Sequence, residues 1–409
     1  MGEIELPFDD TWWCVIFNPF ESLRNKGTAM EIGGHCDERF SLVRDAFESN
    51  FLADEELGAS AAITVDGQYV VDLWAGNKNL AGEPWQEDTI VNVYSTTKTM
   101  ASICMLMLAD RNLIEFSAPV AKYWPEFAAN GKDEVLVRHV MTHQTGCSGF
   151  PRAITAHELY DQELCASLLA EMQPWWEPGT APGYHALTQG TLQAEILRRV
   201  DGRTLGGFFR DEVAGPLGAD FHIGLPASEG SRVAELDPPD RSIDEMVEAE
   251  ADSVASKTFG SCVLDGTETA TDEWRRAEIP AAGGIGNARS ISRVHSAIAC
   301  GGSVDGITLL SSETIEAALE RQTFDRDLVL GLGVPYGMGF GINHHRLPLT
   351  PSPRTLYWFG WGGSMGVMDL DQRLTISYSM NRMASGLVGD SRAFNLIAAT
   401  YAALEKAKS

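Results

Sequence analysis

The 409-residue sequence predicts an α+β fold: an antiparallel sheet flanked by helices, built from both ends of the chain, with a mostly helical domain inserted between them. Three observations predict it. In ASAAITVDGQYVVDLWAG, two β-rich runs flank Asp66-Gly67, a pair that favours the tight turn of a hairpin. Near the C-terminus RTLYWFGW, MGVMDL and RLTISYSMN are three β-rich runs separated by glycine or Asp/Gln turns. Residues 115–270 between these ends are mostly helical in pattern, with breaks at Pro119, Pro125, Pro174, Pro178-Gly179 and Pro216.

Residues 1–29 read as an N-terminal extension, in which Trp12, Trp13, Pro7 and Pro19 follow no clear period; Met30 is an alternative start. Residues 30–114 and 271–409 make the sheet domain, and 115–270 the inserted one. From Asp37 to Leu52, Phe40, Val43, Phe47 and Phe51 recur at helical spacing. Residues 95–112, STTKTMASICMLMLADRN, form a helix apolar nearly all round and therefore buried, with Ser95 as its N-cap. The acidic, Ser-rich span 228–260 reads as loops. The last segment, SRAFNLIAATYAALEKA, is an amphipathic helix whose terminal lysines suit its C-terminal dipole. No internal repeat is visible.

Composition narrows the function. Apolar residues are 44% and charged residues 22%, ordinary values for a globular protein, and the 40 glycines follow no three-residue period. The formal charge of −26 repels phosphate, which argues against nucleic acid and against an anionic membrane as partners. The seven cysteines, Cys14, Cys36, Cys104, Cys147, Cys165, Cys262 and Cys300, are odd in number and lack metal-ligand spacing, so free thiols in a reducing compartment are expected. The N-terminus MGEIELPFDD lacks a basic and an apolar region, and no stretch of roughly 18 apolar residues exists. A cytoplasmic protein is expected.

Three segments carry chemistry. In Ser95-Thr96-Thr97-Lys98, a lysine three residues after a serine shares its helix face. A serine hydroxyl needs a nearby base, and a lysine desolvated by an apolar helix can be one. SxxK alone is a weak signal, strengthened by the β-rich run before it and the apolar helix after it. In Trp176-Glu177-Pro178-Gly179-Thr180-Ala181-Pro182-Gly183-Tyr184-His185-Ala186, a tight turn leads through Tyr184 to an apolar helix at 187–198. A tyrosine at such a junction can turn its phenol into a cleft; by itself it would read as a packing residue. In Trp361-Gly362-Gly363-Ser364, paired glycines between two β-rich runs allow close approach, and the exposed amides could serve an oxyanion; the plain alternative is a hairpin turn.

In this order and at these spacings, the three segments resemble the serine β-lactamase and penicillin-binding-protein superfamily, closest to the class C β-lactamase-like esterases called family VIII carboxylesterases. The resemblance covers roughly residues 36–405. Val137–Gly146 (VRHVMTHQTG), Ala281–Arg289 (AAGGIGNAR) and Tyr336–Phe340 (YGMGF) add further matches in the family's order. It implies the β-lactamase/transpeptidase-like fold, with Ser95 as the acylated nucleophile, Lys98 taking its proton and Tyr184 sharing the acid and base work. The Ser95 and Ser364 amides would form the oxyanion hole, with Trp361 and Gly363 lining the cleft. The implied mechanism is two-step acyl transfer through an acyl-enzyme, needing no metal or cofactor.

Two departures set the substrate expectation. Ala186 holds the place of the lactamases' Tyr-x-Asn asparagine, losing an amide that would bond a β-lactam side chain. Trp361 replaces the lysine of Lys-Thr-Gly, losing a cation that would hold a substrate carboxylate. A carboxylesterase on short-acyl, fairly apolar, small-molecule esters is therefore expected. The alternatives are an acyltransferase using the same residues, a β-lactamase or D-amino-acid peptidase, and a catalytically silent binding module. Gly362-Gly363-Ser364-Met365-Gly366 also matches the G-x-S-x-G elbow of α/β-hydrolases, but no histidine follows Ser364 and the next segment reads as strands rather than a helix. His139 and His143, four apart, could share a helix face, yet HExxH is absent and no third ligand is evident, so both read as structural. His185 beside Tyr184 could reach the cleft rim. Of Trp175, Trp176, Trp358 and Trp361, only Trp361 carries a positional argument.

Overall fold

A computed structural model describes residues 31–53, 55–246 and 249–406. The extension with Trp12, Trp13, Cys14 and the alternative start Met30 lies outside the described residues. Twelve strands are present among those described: β1 (Ile32–Cys36), β2 (Gly58–Val65), β3 (Gln68–Gly76), β4 (Val91–Asn92), β5 (His222–Ile223), β6 (Gly284–Gly286), β7 (Ser303–Val304), β8 (Ile307–Thr308), β9 (Gly341–Ile342), β10 (Thr355–Phe359), β11 (Met365–Asp369) and β12 (Leu374–Met380). Seven of them make one antiparallel sheet in the order β1-β3-β2-β12-β11-β10-β9.

The two ends of the chain meet at the β2–β12 pair, whose register runs from Val65↔Leu374 to Ala59↔Met380. The hairpin β2–β3 turns at Asp66 (φ 51°) and Gly67 (φ 78°), the left-handed pair that the Asp-Gly signal predicts. The three C-terminal strands follow the sequence reading closely. β1 does not: IGGHC alternates in no useful way, and only pairing with β3 makes it a strand. Its glycines let Trp74 cross the edge, since a Cβ on Gly33 would sit 2.5 Å from Trp74 Nε1. The YGMGF segment is not a strand. Gly337 donates to the Phe340 carbonyl, so the chain folds back there, and β9 starts only at Gly341.

Helices cover both faces of the sheet. Neighbouring residues on a strand point to opposite faces. On β12, Ser377 Oγ accepts from Ser292 in α4 (Ala288–Ala299), while Tyr378 OH bonds Glu56, which pairs with Arg392 in α5 (Ser391–Lys406). Helix α4 therefore lies on one face and α5 on the other, where it packs with α1 (Ser41–Leu52). Small residues in β2 (GASAAITV) let both layers approach, and its buried hydroxyls are paired across to β12: Ser60 with Ser379 at 2.8 Å and Thr64 with Thr375 at 2.7 Å. Helix α2 (Thr97–Asp110) sits beyond α4, joined by a 2.8 Å bond between Thr99 Oγ1 and His295 Nε2; it is buried from Thr97 to Leu108, as its all-round apolar sequence requires.

Between the two halves the chain is largely helical turns, with α3 (Thr188–Asp201) the longest described helix from 115 to 270. The acidic span 228–260 is loop with short helical turns at Ala227–Arg232, Ile243–Met246 and Val254–Gly260. A second small sheet, β4-β6-β5, was not legible in the sequence because its strands are two or three residues long. The six described cysteines are all free. No described helix is long and apolar enough to cross a membrane.

Arg392 binds the C-terminal helix to the sheet. Only 3% exposed, its side chain donates to Glu56 at 3.1 Å, Asp390 at 2.6 Å and the carbonyls of Glu55, Gly362 and Arg382. Arg392→Met leaves the fully buried Glu56 carboxyl without its cation, and urea unfolding should show a loss of about 3–5 kcal/mol. A loss under about 1 kcal/mol would mean that the network is solvated rather than buried.

Candidate active site

Ser95 stands on a strained turn. Strand β4 pairs with β6, and the chain then turns through Tyr94 at φ 40°, a left-handed conformation that non-glycine residues adopt rarely. Several contacts hold it there. The Tyr94 phenol donates to Glu268 at 2.7 Å, and its ring packs 5.0 Å from Trp361 and 6.2 Å from Trp274. Thr97 Oγ1 donates to the Tyr94 carbonyl at 2.5 Å and accepts from the Gly284 amide at 2.8 Å. Ser95 is the half-buried residue in an otherwise buried run from Val91 to Met100. It is not the N-cap that its place before the helix predicts. A 3-10 turn, Tyr94–Thr96, runs straight into α2, and the Ser95 hydroxyl faces Lys98 and Tyr184 instead of the helix amides.

Lys98 lies one turn along the same face, fully buried. Its Nζ is 3.1 Å from Ser95 Oγ, 2.7 Å from the Ala186 carbonyl and 2.9 Å from the Ala281 carbonyl. Burial holds its pKa well below the ordinary lysine value. The amine donates to both carbonyls and to Ser95 Oγ. Tyr184, 6% exposed, donates its phenol proton to Ser95 Oγ at 2.6 Å, and its ring centroid lies 4.9 Å from Lys98 Nζ. Burial pushes the phenol's pKa up, more than its bond to Ser95 pulls it down, so the phenol keeps its proton at neutral pH. The three residues that the sequence singles out in its first two segments thus form one hydrogen-bonded cluster.

The third segment is tied to the same turn. Gly362 (φ 91°) and Gly363 (φ 126°) make a reversal closed by Gly360 N donating to the Ser364 carbonyl at 2.8 Å. A side chain at Gly363 would be strained by φ and would strike Asp390 at 2.3 Å. The Ser364 hydroxyl, 1% exposed, donates to the Val93 carbonyl at 2.7 Å and lies 2.8 Å from Thr96 Oγ1. That hydroxyl is a clamp between the glycine turn and the Ser95 turn, and β11 rather than a helix follows it, so the nucleophile-elbow reading fails on both counts. Neither the Ser95 nor the Ser364 amide donates to a described backbone carbonyl, which leaves both for a ligand. Trp361 is 3% exposed, with its ring on Tyr94 rather than beside Tyr184, and its indole N–H has no partner.

Other expectations are corrected. His185 does not reach a rim: it is fully buried, bonded to Thr145 Oγ1 and the Gly183 carbonyl, both at 2.6 Å. His139 and His143 do not share a helix face, because the helix ends at Met141 and His143 has φ 60°. His143 instead packs against Tyr184, Tyr336 and Trp358. No cluster of three or more His, Cys, Asp or Glu side chains suited to a metal is found among the described residues.

Three features escaped the sequence reading. Trp358 lies with its ring 6.0 Å from Tyr184, signalled only by its place on a strand. The carbonyls of Ala186 and Ala281 hold Lys98, and no side chain could have marked them. Asp327 accepts from the Tyr184 amide at 3.0 Å; its one trace in the sequence is an Asp before Val329 and Leu330, the spacing of an Asx turn. A groove of about 680 Å³ has a mixed lining: Ala255, Val329, Leu330 and Leu387, which pack in the apolar cluster around Tyr184, and the charged Glu250 and Arg326.

Known proteins carry the same arrangement of chain. The model of the Beta-lactamase family matches residues 44–400. The Esterase/beta-lactamase LipL of Mycobacterium tuberculosis (strain ATCC 25618 / H37Rv) is 37% identical over 368 residues, 87% of this chain and 84% of the relative. The crystal structure of a family VIII carboxylesterase superposes with a TM-score of 0.86 at 40% identity, covering 91% of this chain and 100% of the neighbour. A penicillin-binding-protein homologue from Caulobacter crescentus gives 0.85 at 37% identity over 91% and 100%. With a family model across most of its length, and relatives of this identity along most of both chains, the protein belongs to the beta-lactamase family.

Proposed function

We propose that the protein is a carboxylesterase that cleaves small, apolar, short-acyl esters through an acyl-enzyme on Ser95. The coarse class, an esterase-type serine hydrolase of the β-lactamase fold, is that of its relatives LipL and the family VIII carboxylesterase. One observation carries the finer reading: Ser95 Oγ lies 3.1 Å from a buried, pKa-lowered lysine amine and 2.6 Å from a protonated phenol. Such an amine can take the serine's proton at neutral pH, as a solvated lysine cannot.

In the first step Ser95 Oγ attacks the ester carbonyl carbon while its proton passes to Lys98 Nζ. The carbonyl oxygen becomes an oxyanion, received by the Ser95 and Ser364 amides. The C–O bond to the alcohol then breaks, the leaving alkoxide takes a proton from the Tyr184 phenol, and the Lys98 ammonium gives its proton to the phenolate, which leaves the acyl-enzyme with both groups neutral. Water then attacks the acyl carbon and gives one proton to the same pair; as the Ser95–acyl bond breaks, that proton passes to Ser95 Oγ, and the carboxylic acid leaves. Support for a neutral, apolar substrate comes from Ala186 and Trp361, where an amide and a cation would serve a β-lactam.

A second reading has one observation in its favour: LipL is described as both esterase and β-lactamase. Nitrocefin hydrolysis measured beside p-nitrophenyl butyrate hydrolysis separates the two. The ester reading expects kcat/KM for the ester to exceed that for the lactam.

Intact-mass labelling with a fluorophosphonate, together with p-nitrophenyl acetate and butyrate turnover, tests the nucleophile. Wild type should gain one adduct, and Ser95→Ala should neither label nor turn over. A wild type that never labels would favour a binding module instead. The base is tested by pH. The neutral fraction of Lys98 rises with pH through its lowered pKa, so kcat/KM should climb along an acid limb that lies well below the ordinary lysine value of about 10.4. Lys98→Ala should remove that limb and cut kcat/KM by about 10²–10⁴-fold. An unchanged limb in Lys98→Ala would assign the base role to another group.

A further inference from the structure

Asp327 is fully buried and sits outside the three segments that carry the proposed chemistry. Its carboxyl meets only donors. Oδ1 accepts from the amides of Tyr184 at 3.0 Å, Val329 at 2.8 Å and Leu330 at 2.8 Å, and Oδ2 accepts from the Tyr336 phenol at 2.9 Å. The backbone repeats the link, with the Leu328 amide donating to the Pro182 carbonyl at 2.9 Å. One side chain therefore ties the loop that presents Tyr184 to the lip 328–332 of the neighbouring groove. Through Tyr336 it also reaches the ring stack of His143 and Trp358 that backs the Tyr184 phenol.

A buried carboxylate elsewhere provides the contrast. Asp369, also fully buried, accepts from two turn amides, Asp371 and Gln372, and from the Tyr401 phenol, yet touches nothing in the Ser95 cluster. The hydrogen-bond set is nearly the same, so a purely local role for such a carboxylate is met by Asp369. What Asp327 adds is the amide of Tyr184 itself.

We propose that Asp327 is the positioning residue for Tyr184, holding the backbone that aims the phenol at Ser95 Oγ. The proposal rests on the reading of Ser95, Lys98 and Tyr184 as the reacting cluster. A phenol that must both accept and return a proton within one bond length tolerates little displacement, and a shift of about 1 Å in such a group costs about 100-fold in rate. The groups facing the phenol are Ser95 and Lys98 from the Ser95 turn, His143 from the loop beside it, the Trp358 indole, which bonds it, and Tyr336 and Asp327 from the lip side. Of these, Asp327 raises the phenol's pKa through its charge. Removing the charge should lower it.

The test is the rate of Ser95 phosphonylation by a fluorophosphonate across pH, for wild type, Asp327→Asn and Asp369→Asn, with unfolding temperature measured alongside. Asp327→Asn keeps the shape but gives up the charge and one acceptor. It should label about 10- to 100-fold more slowly, while Asp369→Asn keeps the wild-type rate and profile. Tyr336→Phe carries the test if Asp327→Asn does not fold: kcat for p-nitrophenyl butyrate should fall with KM within about threefold of wild type. A wild-type rate and profile in Asp327→Asn overturns the proposal. So does a loss shared equally by both aspartate variants and tracking their stability, or a Tyr336→Phe with unchanged kcat. A wild type that never labels overturns the Ser95 reading instead, and this proposal falls with it.

Discussion

The amine of Lys98 is held out of water by an apolar helix and two backbone carbonyls, and the rest of the site is arranged around that burial. Taking an ammonium from water penalises its charged form, so burial lowers the pKa of this lysine. The two carbonyls come from Ala186 and Ala281, far from Lys98 and from each other in the chain. Satisfying one amine thus brings three segments together: the start of α2, the loop before α3 and the stretch before β6. The apolar, methionine-rich body of α2 follows from the same requirement, because a wetter helix would let water back to the lysine.

Around that centre the backbone is strained where it presents chemistry and clamped where it is strained. Tyr94 and His143 both hold left-handed φ values without being glycine, one before Ser95 and the other behind the Tyr184 phenol. Hydroxyls provide the clamps: Thr97 to the Tyr94 carbonyl and Gly284, and Ser364 to Val93 and Thr96. The glycine turn at 362–363 is backed by Arg392, whose guanidinium bonds the Gly362 carbonyl while paired with Glu56 and Asp390. The glycine turn that leads to the Ser364 amide is therefore held by a side chain of the C-terminal helix.

Much of the fold was legible because its signals are local. The Asp66-Gly67 hairpin, the three C-terminal strands, the buried helix after Ser95 and the final amphipathic helix each declare themselves within about a dozen residues. β1 and the β4-β6-β5 sheet were not legible: strands of two to five residues carry no period, and edge or bridge strands exist only through their partners. The same holds for the YGMGF segment, which turns back before β9 because Gly339 takes φ 88° against Ser102 of α2.

For the site, the sequence by itself singled out the side chains that the fold brings together. Ser95 and Lys98 are one helical turn apart, and Tyr184 stands at a loop-to-helix junction; those relations are set by spacing and survive any detail of packing. The glycines at 362 and 363 likewise announce a turn that no other residue could make. What only the tertiary structure decided is everything supplied by backbone groups or by residues distant in the chain. The carbonyls that hold Lys98 have no side-chain signature, and Asp327 reaches the Tyr184 amide across 143 residues. Burial decided the protonation: whether Lys98 is a cation or a base depends on how much water the assembled fold excludes, and no single stretch of sequence holds that information.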